Sequence, residues 1–309
     1  MSDPVERAAA IIERVAVGRV KRDLPLAPLT TFRIGGRAAL YVEPESQEDL
    51  TAVSEALAAT GISYLVIGKG SNILVADEGF PGLVLRLGRG FRWAARDGSR
   101  LSAGGSMPLP ALAGVALRHG LTGLEFSVAI PATLGGAVVM NAGAHGGEMA
   151  QVIETVSVFR LDQGVAVTLE LPELRFSYRH SGVPEAGVLI GASIRLSPGE
   201  DAEIRSRMEE AKEWRRRTQP LAEPNCGSVF TNPVGDHAAR LIEEAGGKSL
   251  SVGGASVSQK HANFILAAPG ATAADVRALI ARVQQVVETS AGIRLETEVR
   301  FVGGANDGT

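Results

Sequence analysis

One segment in the last third of the chain places a serine between a Cys-Gly pair and a predicted strand. Ser228 follows Cys226 and Gly227 in the stretch PNCGSVFTNP, and the glycine allows the backbone to turn sharply. The commoner role of such a serine is to cap a turn. No Gly-x-Ser-x-Gly elbow surrounds it, which disfavours an esterase nucleophile. Nothing nearby in the sequence would activate the thiol of Cys226, so we interpret this residue as a small packing residue.

Charged residues also recur at regular spacing in two predicted strands. Arg175 and Arg179 accompany a predicted strand over 174–178. Glu296, Glu298 and Arg300 would share one face of a predicted strand over 293–302, because side chains alternate along a strand. Such charges are usually the solvated side of a sheet, and an acid and a base that point into a cleft are the functional alternative. The residues by themselves leave both open.

Two glycine-rich stretches could admit a flat or anionic ligand close to the backbone. Residues 127–149 are rich in Gly and Ala, and Glu148 carries their only fixed charge. Small side chains permit close approach, either of a ligand or of a packed element. Residues 68–72, GKGSN, follow a predicted strand over 64–67, and successive N–H groups in such a loop form an anion site. We expect the two stretches together to grip one pyrophosphate.

Several familiar motifs are absent. Gly68 and Gly70 begin a dinucleotide fingerprint, but Ile73 occupies the third glycine position. The triplet 247–249, GKS, imitates the end of a P-loop, yet Ile242 replaces its first glycine. The five histidines have no metal-ligand spacing, so we predict no metal site.

Composition narrows the class of protein. The 309 residues allow two or three domains, and a net charge of -3 gives no indication of a nucleic-acid or membrane-surface binder. A single cysteine excludes an intramolecular disulfide, and the N-terminus lacks the apolar core of a signal peptide. We therefore expect a cytoplasmic protein.

The remaining patterns predict an α+β chain in three parts, residues 1–90, 91–198 and 199–309, with a frayed tail over 303–309. Asp3 with Pro4 starts a helix, and Ser46 with Asp49 resembles a capping box for a helix that Gly61 ends. A turn over 96–99 and another over 162–164 predict hairpins. Further helices are predicted over 109–119, 201–217, 237–245 and after Thr272.

Six motifs in order closely resemble the UDP-N-acetylenolpyruvoylglucosamine reductase (UDP-N-acetylmuramate dehydrogenase, MurB) family, in its shorter type II branch. They are TTFRIGG (30–36), VIGKGSNILVADEGFPGLVL (66–85), IPATLGGAVVMNAGAHGGE (130–148), FSYRHS (176–181), PNCGSVFTNP (224–233) and LETEVRFVG (295–303). The resemblance spans about residues 29–303, nearly the whole chain.

The resemblance implies a flavoenzyme of peptidoglycan precursor synthesis. The implied fold has an FAD-binding domain of the vanillyl-alcohol oxidase/p-cresol methylhydroxylase type in two α/β subdomains and a C-terminal α/β substrate domain. NADPH is the implied co-substrate that reduces FAD. Hydride then passes from flavin N5 to the β-carbon of enolpyruvyl UDP-N-acetylglucosamine, and a proton is added to the α-carbon. We expect a monomer with this small-molecule substrate and no nucleic-acid or membrane partner.

The resemblance also implies roles for individual residues. Arg179 matches the arginine on the substrate carboxylate, Glu298 its glutamate partner, and Ser228 the proton donor. The implied cofactor-binding residues are Arg33, Gly68, Lys69, Gly70, Ser71, Asn72, Ile73, Ile130, Pro131, Ala132, Thr133, Gly135, Gly136, Asn141, Gly143 and Ala144.

One departure and one open question remain. The family commonly has Gly-Ser or Gly-Cys where this chain has Ala132 and Thr133, which puts that flavin contact in doubt because alanine does not readily adopt a positive φ. The open question concerns five basic residues, Lys212, Arg215, Arg216, Arg217 and Lys260. They could form a solvated surface, as on a charged helix face, or they could contact the UDP diphosphate or the NADPH 2′-phosphate. His261 and Asn263 are similar candidates.

Two other functions are compatible with a flavin fold. One is an oxidase or dehydrogenase of a small alcohol or hydroxy acid, against which the motifs in residues 174–303 argue. The other is a flavin-binding scaffold without activity, which the joint presence of Arg179, Ser228 and Glu298 disfavours.

Overall fold

The computed structural model describes residues 3–304, so the predicted frayed tail lies mostly outside the described residues. The helices are α1 (Pro4–Glu13), α2 (Gln47–Thr60), α3 (Leu109–Arg118), α4 (Leu134–Val139), α5 (Asp201–Thr218), α6 (Ala238–Glu244) and α7 (Ala273–Ala291). The strands are β1 (Val20–Pro25), β2 (Arg37–Val42), β3 (Tyr64–Val66), β4 (Ile73–Val75), β5 (Phe80–Leu85), β6 (Ala94–Asp97), β7 (Arg100–Gly104), β8 (Leu121–Thr122), β9 (Gly143–Ala144), β10 (Gly147–Glu148), β11 (Ile153–Arg160), β12 (Val165–Glu170), β13 (Gly187–Arg195), β14 (Ser197–Pro198), β15 (Ser251–Val252), β16 (Ala255–Val257), β17 (Ile265–Ala267) and β18 (Arg300–Val302).

The chain forms two compact units, each discontinuous in sequence. Unit 1 comprises residues 1–22, 39–69 and 82–215, and unit 2 comprises residues 23–38, 70–81 and 216–309. The division into three parts at residues 90 and 198 stays a prediction.

Unit 1 holds a five-stranded sheet in the order β12-β11-β13-β7-β6. Its neighbouring strands are antiparallel, and both predicted hairpins are present. The apolar side chains of its inner face pack on α3 and α4, with Leu101, Val156 and Ile194 fully buried. This sheet therefore supports the glycine-rich stretch that contains α4.

The N-terminal helices pack together over the strands that follow them. Their core includes Ile12, Leu50, Val53 and Leu83, all fully buried. The predicted capping box of α2 is confirmed, because the Ser46 hydroxyl accepts from the N3 backbone and the N3 carboxylate accepts from the N-cap backbone. A second, four-stranded sheet has the order β1-β2-β5-β3.

Unit 2 is built around α6, α7 and the three-stranded sheet β15-β16-β17. The strand β4, which follows the first glycine loop, pairs in parallel with β18 near the C-terminus. Val229, Phe230 and Leu279 lie in one core with the apolar faces of the helices. The segment that carries Ser228 is therefore anchored by buried neighbours on both sides.

One predicted strand is wrong and another is only partly present. Residues 171–174 form a 3-10 helix and the chain then turns, with Arg175 at φ +40° and Arg179 at φ +57°, so 174–178 is no strand. Of the predicted last strand, Arg300–Val302 is present as β18 and Thr297 forms an isolated bridge with Phe230. In both cases tertiary contacts to the backbone outweigh the alternating pattern. Among residues 3–304, no helix has the length and apolar character needed to cross a bilayer.

Candidate active site

The two glycine-rich stretches come together within unit 1. Thr133 is the N-cap of α4, and its hydroxyl accepts a hydrogen bond from the N–H of Gly136 at 3.3 Å. A Cβ on Gly68 would lie 2.5 Å from the same hydroxyl oxygen. Position 68 therefore admits only glycine while Thr133 holds this rotamer. The unusual threonine next to Ala132 thus has a structural role as a helix cap.

The first N–H groups of α4 are used by the protein itself. Leu134 donates to the carbonyl of Met107 at 2.8 Å, and Gly135 donates to the carbonyl of Gly105 at 2.9 Å. A Cβ on Gly135 would come within 3.2 Å of that carbonyl. These glycines allow two stretches of backbone to approach closely. The loop before the cap, Ile130–Ala132, is at least partly exposed.

Asn141 connects the end of the glycine stretch to the loop that carries Arg179. Its side chain is buried, donates to the carbonyl of Ser177 and accepts from the N–H of Ala150, both at 3.0 Å. The next residues, Gly143 and Ala144, form the short strand β9, which pairs with β10. The side-chain amide of Asn141 therefore helps to hold the backbone of the loop around Ser177 in place.

Arg179 lies at the tip of a tight turn. Ser177 and His180 exchange two backbone hydrogen bonds of 3.1 Å, so Tyr178 and Arg179 are the two central residues. The Arg179 guanidinium carbon lies 4.9 Å from the centre of the Tyr178 ring. A left-handed backbone at a residue with a side chain costs free energy and is concentrated at functional sites. The turn therefore holds the backbone of Arg179 in one defined conformation.

In unit 2, the second half of the first glycine loop packs on the segment that contains Arg33. Gly70 has φ +61°, and a Cβ there would lie 2.3 Å from the carbonyl oxygen of Leu29. Thr31 donates its N–H to the carbonyl of Gly70 at 3.0 Å. Arg33 has φ +58° and is exposed. At both glycine positions of the GKGSN loop, another part of the chain lies so close that there is no room for a Cβ.

The rest of that loop is tied to the C-terminal segment. The amide of Asn72 donates to the carbonyl of Glu298 at 3.0 Å, and the N–H of Arg300 donates to the carbonyl of Asn72 at 3.1 Å. Ile73 pairs with Arg300 in the β4–β18 ladder. Ser71, Asn72 and Ile73 are partly exposed, and Lys69 in unit 1 is exposed. The predicted cofactor loop and the predicted catalytic glutamate therefore share one hydrogen-bonded framework.

Ser228 lies in an irregular segment between two partner segments of unit 2. On one side, the N–H of Val229 donates to the carbonyl of Asn263 at 2.9 Å. On the other, the carbonyl of Val229 accepts from the N–H of Glu298 at 2.8 Å. Phe230 forms an isolated bridge with Thr297. Both Ser228 and Glu298 are partly exposed.

Cys226 is a buried packing residue, as predicted. Its thiol is buried, and burial together with the nearby charge of Glu298 raises its pKa well above the ordinary value. A thiol with a raised pKa has little thiolate at neutral pH and is a poor nucleophile. The side chain packs with the apolar core of unit 2.

A cavity of about 720 Å³ lies within unit 2. Its cationic lining residues are Arg216, Lys248 and Lys260, and Lys260 donates to the carbonyl of Arg216 at 2.6 Å. Its other polar lining residues are one carboxylate, Glu223, two amides, Gln219 and Gln259, and the hydroxyls of Ser249, Ser251, Ser256 and Ser258. Ammonium, guanidinium and hydroxyl groups together suit a phosphate-bearing ligand. The described residues contain no group of three or more His, Cys, Asp or Glu that could hold a metal.

The other basic residues considered as phosphate contacts differ in their exposure and in their partners. Lys212 pairs with Glu209 at 2.6 Å on an exposed face of α5, which fits a solvated helix surface. Arg215 is partly buried, and burial lowers the pKa of its guanidinium. Arg217 is exposed. His261 is half-buried against Phe264, and burial lowers its pKa.

Comparison with known proteins decides the family. The chain is 46% identical, over 93% of its length and 91% of the relative's, to UDP-N-acetylenolpyruvoylglucosamine reductase of Heliobacterium modesticaldum. It is 44% identical over 98% of both chains to reductase 2 of Symbiobacterium thermophilum. The chain belongs to the UDP-N-acetylenolpyruvoylglucosamine reductase family. Residues 219–302 match the model of that reductase's C-terminal domain, and residues 38–170 match an FAD binding domain. The chain is therefore an FAD-dependent oxidoreductase.

Solved structures confirm the predicted fold. The crystal structure of the reductase from Thermus caldophilus covers 92% of this chain and 99% of its own, at 39% identity and a TM-score of 0.80. A berberine bridge enzyme solved with (S)-reticuline matches 65% of this chain with 12% identity and a TM-score of 0.50, which shows a shared fold only. The α+β assignment with an FAD-binding domain and a separate C-terminal domain of the reductase family is thus confirmed.

Two structural residues of the site were missed from the sequence. Asn225 and Asn263 hydrogen-bond the backbone around Ser228, and Asn263 was considered only as a ligand contact. The signal for Asn225 was present, because an asparagine two residues before a glycine is typical of an Asx turn. No local signal existed for Asn263, whose partner is 33 residues away in the sequence.

Proposed function

We propose that this protein reduces enolpyruvyl UDP-N-acetylglucosamine to UDP-N-acetylmuramate with NADPH, through bound FAD, in peptidoglycan precursor synthesis. The observation that carries the proposal is the pairing of the Ser228 segment with the Glu298 segment in the unit that matches the reductase's C-terminal domain. Family membership supports the substrate, and the FAD binding domain supports the cofactor.

The residues present fit a flavin cofactor. Gly68 and Gly70 are positions where a Cβ would meet Thr133 or Leu29, so bare backbone is built into the GKGSN loop. We propose that this loop, Arg33 and the segment 130–144 hold FAD, in keeping with the resemblance. Bound FAD would supply hydride chemistry, by accepting hydride from NADPH and delivering it to the β-carbon of the enol ether.

Arg179 is proposed to bind the substrate carboxylate. Hydride addition to the enol ether leaves extra negative charge on that carboxylate, which becomes an aci-acid. A guanidinium forms two parallel hydrogen bonds with such a group, and these bonds strengthen as the charge develops. The tight turn between Ser177 and His180 holds the arginine backbone for this task.

Ser228 is proposed to donate a proton to the α-carbon, with Glu298 assisting. A hydroxyl is a weak acid, but the carbanion that it protonates is strongly basic, and a fixed position supplies much of the rate. The proton and the hydride together saturate the double bond, while NADPH is oxidised to NADP⁺. Because hydride addition is unfavourable until the carbon is protonated, net flavin oxidation depends on Ser228.

The cavity lined by Arg216, Lys248 and Lys260 is proposed to receive the diphosphate of the UDP group. Its cations and serine hydroxyls support an anionic ligand. Lys212 is the poorer candidate, because it does not line this cavity. We also propose that the enzyme acts as a monomer in the cytoplasm, and light scattering of the purified protein tests the first of these points.

An anaerobic visible spectrum of the FAD-loaded protein tests the proposal. NADPH should bleach the flavin absorbance, and enolpyruvyl UDP-N-acetylglucosamine should then restore it. Bleaching without recovery would remove the substrate from the proposal and leave an FAD-dependent oxidoreductase of another compound. A small alcohol or hydroxy acid that reduced the flavin would support the alternative oxidase.

A further inference from the structure

We propose that Asn225 and Asn263 are positioning residues that together fix the proton donor Ser228. This inference rests on the proposed role of Ser228. The side-chain oxygen of Asn225 accepts from the N–H of Gly227, before Ser228, and the side chain of Asn263 bonds both backbone groups of Phe230, after it. Neither side chain is needed as a ligand contact in this arrangement.

Asn225 fixes the chain before Ser228. Its side-chain oxygen accepts from the N–H of Gly227 at 2.9 Å, and its amide donates to the carbonyls of Pro220 and Glu223 at 2.9 and 2.7 Å. Its own N–H donates to the carbonyl of Thr31 at 3.2 Å. Gly227 has φ +80°, so this turn is defined both by the asparagine and by a residue free to adopt it.

Asn263 fixes the chain after Ser228. Its side chain is buried, accepts from the N–H of Phe230 at 2.9 Å and donates to the carbonyl of Phe230 at 2.8 Å. Its own carbonyl accepts from Val229. One side chain thus satisfies both polar groups of a buried residue, in the way that a neighbouring strand would.

Asn225 acts on Gly227 through its side chain, and Asn263 acts on Val229 through its backbone and on Phe230 through its side chain. Ser228 lies between Gly227, held by Asn225, and Val229, held by the backbone of Asn263 and by that of Glu298. With both neighbours fixed, the direction of the Ser228 Cα–Cβ bond is fixed as well. A displacement of about 1 Å in a reacting group costs roughly 100-fold in rate. Loss of either amide should therefore slow proton donation specifically.

Asn263→Leu and Asn225→Ala test this in the FAD-loaded enzyme by stopped-flow absorbance. Flavin reduction by NADPH should stay within about twofold of wild type, and reoxidation by enolpyruvyl UDP-N-acetylglucosamine should slow by about 100-fold. The solvent deuterium isotope effect on reoxidation should increase, because proton donation becomes rate-limiting. Asn263→Asp keeps the acceptor for the Phe230 N–H but loses the donor to its carbonyl, and it should be impaired to an intermediate degree.

Ser54→Ala is the matched control for simple destabilisation. Ser54 is buried in unit 1, and its hydroxyl donates to the carbonyl of Leu161 at 2.6 Å. This variant should lower the melting temperature and leave the isotope effect unchanged. The inference is overturned if the asparagine variants reoxidise at the wild-type rate, slow both half-reactions equally, or slow reoxidation with an unchanged isotope effect. If Ser228→Ala itself reoxidises normally, the proposed function fails instead.

Discussion

The N–H of Glu298 donates to the carbonyl oxygen of Val229 at 2.8 Å. This single bond sets Glu298 beside the segment that carries Ser228, although about seventy residues separate them in the sequence. The bridge between Phe230 and Thr297 maintains the same register. A serine and a carboxylate held on neighbouring backbone segments can act on one substrate without reorganisation, which is how enzymes make weak acids effective.

Ser228→Ala should separate the two half-reactions. Flavin reduction by NADPH should be unchanged, while turnover falls by at least about 100-fold, because a positioned proton donor contributes that much or more. Rapid-mixing absorbance measures both steps. Ser206→Ala removes an exposed hydroxyl that bonds Glu210 on α5 and should retain full turnover. Turnover that survives in Ser228→Ala would rule out this proton donor.

Arg179→Gln should weaken the reaction of the sugar substrate. Loss of one guanidinium at a developing carboxylate charge is expected to lower kcat/KM by about 100- to 1000-fold. Arg179→Lys should recover only part of this, because an ammonium lacks the two-pronged geometry. Steady-state kinetics with varied enolpyruvyl UDP-N-acetylglucosamine measures the effect.

Arg175→Gln provides the matched control for Arg179. Arg175 is exposed in the same loop and also has a left-handed backbone, at φ +40°. We expect its kcat/KM to stay within about twofold of wild type, as for surface substitutions in general. Equal losses in the two variants would show that the loop, and no particular guanidinium, is what the reaction needs.

Gly68→Ala should reduce the FAD content of the purified protein. The added Cβ would lie 2.5 Å from the Thr133 hydroxyl, so either the GKGSN loop or the cap of α4 must move. The double variant Gly68→Ala/Thr133→Ala removes that oxygen and should recover part of the flavin, although the lost cap costs about 1 kcal/mol. The flavin-to-protein absorbance ratio measures both.

Gly114→Ala is the control for the glycine substitution. Gly114 lies within α3, and a Cβ there would come no nearer than 3.7 Å to the Arg118 side chain. The change should stabilise the protein by about 0.5–1 kcal/mol and leave the FAD content unaltered. Normal flavin content in Gly68→Ala would contradict the role assigned to this close approach.

Glu154 should make stability sensitive to acid. Hydrogen bonds from Arg100 on β7, and then from Arg195 on the neighbouring strand β13, lower the pKa of Glu154 to about 2. Because the pKa is lowered in the folded state, the stabilisation is present above the unfolded value of about 4.3 and is lost as pH falls towards 2. Solvent screening limits it to about 0.5–1 kcal/mol.

Urea unfolding at pH 7 and pH 3 tests this linkage. Glu154→Gln should be less stable than wild type at pH 7, and the difference should shrink at pH 3. Glu55→Gln, an exposed position on α2, should show no such difference at either pH. An equal gap between Glu154→Gln and wild type at both values would mean that the ion pairs do not contribute.

Features that depend on nearby residues were predictable. The caps of α2 and α7 pair a hydroxyl with a carboxylate three residues later, so both the signal and its structure are local. The hairpin between β6 and β7 is likewise set by its turn. The six family motifs also identified Arg179, Ser228 and Glu298 as candidates, because the order of motifs is a property of the sequence.

Contacts between distant residues were decided only by the tertiary structure. The alternating charges around Arg179 resembled a strand, but the side chain of Asn141 bonds the carbonyl of Ser177 and the chain turns there. The amide of Asn263 meets Phe230, and the hydroxyl of Thr133 faces Gly68, for reasons that no local pattern contains. The sequence by itself determined which residue types were available and which short segments they would form. Only packing decided which backbone groups those side chains satisfy, because a buried polar group takes whichever partner the fold brings within hydrogen-bonding distance.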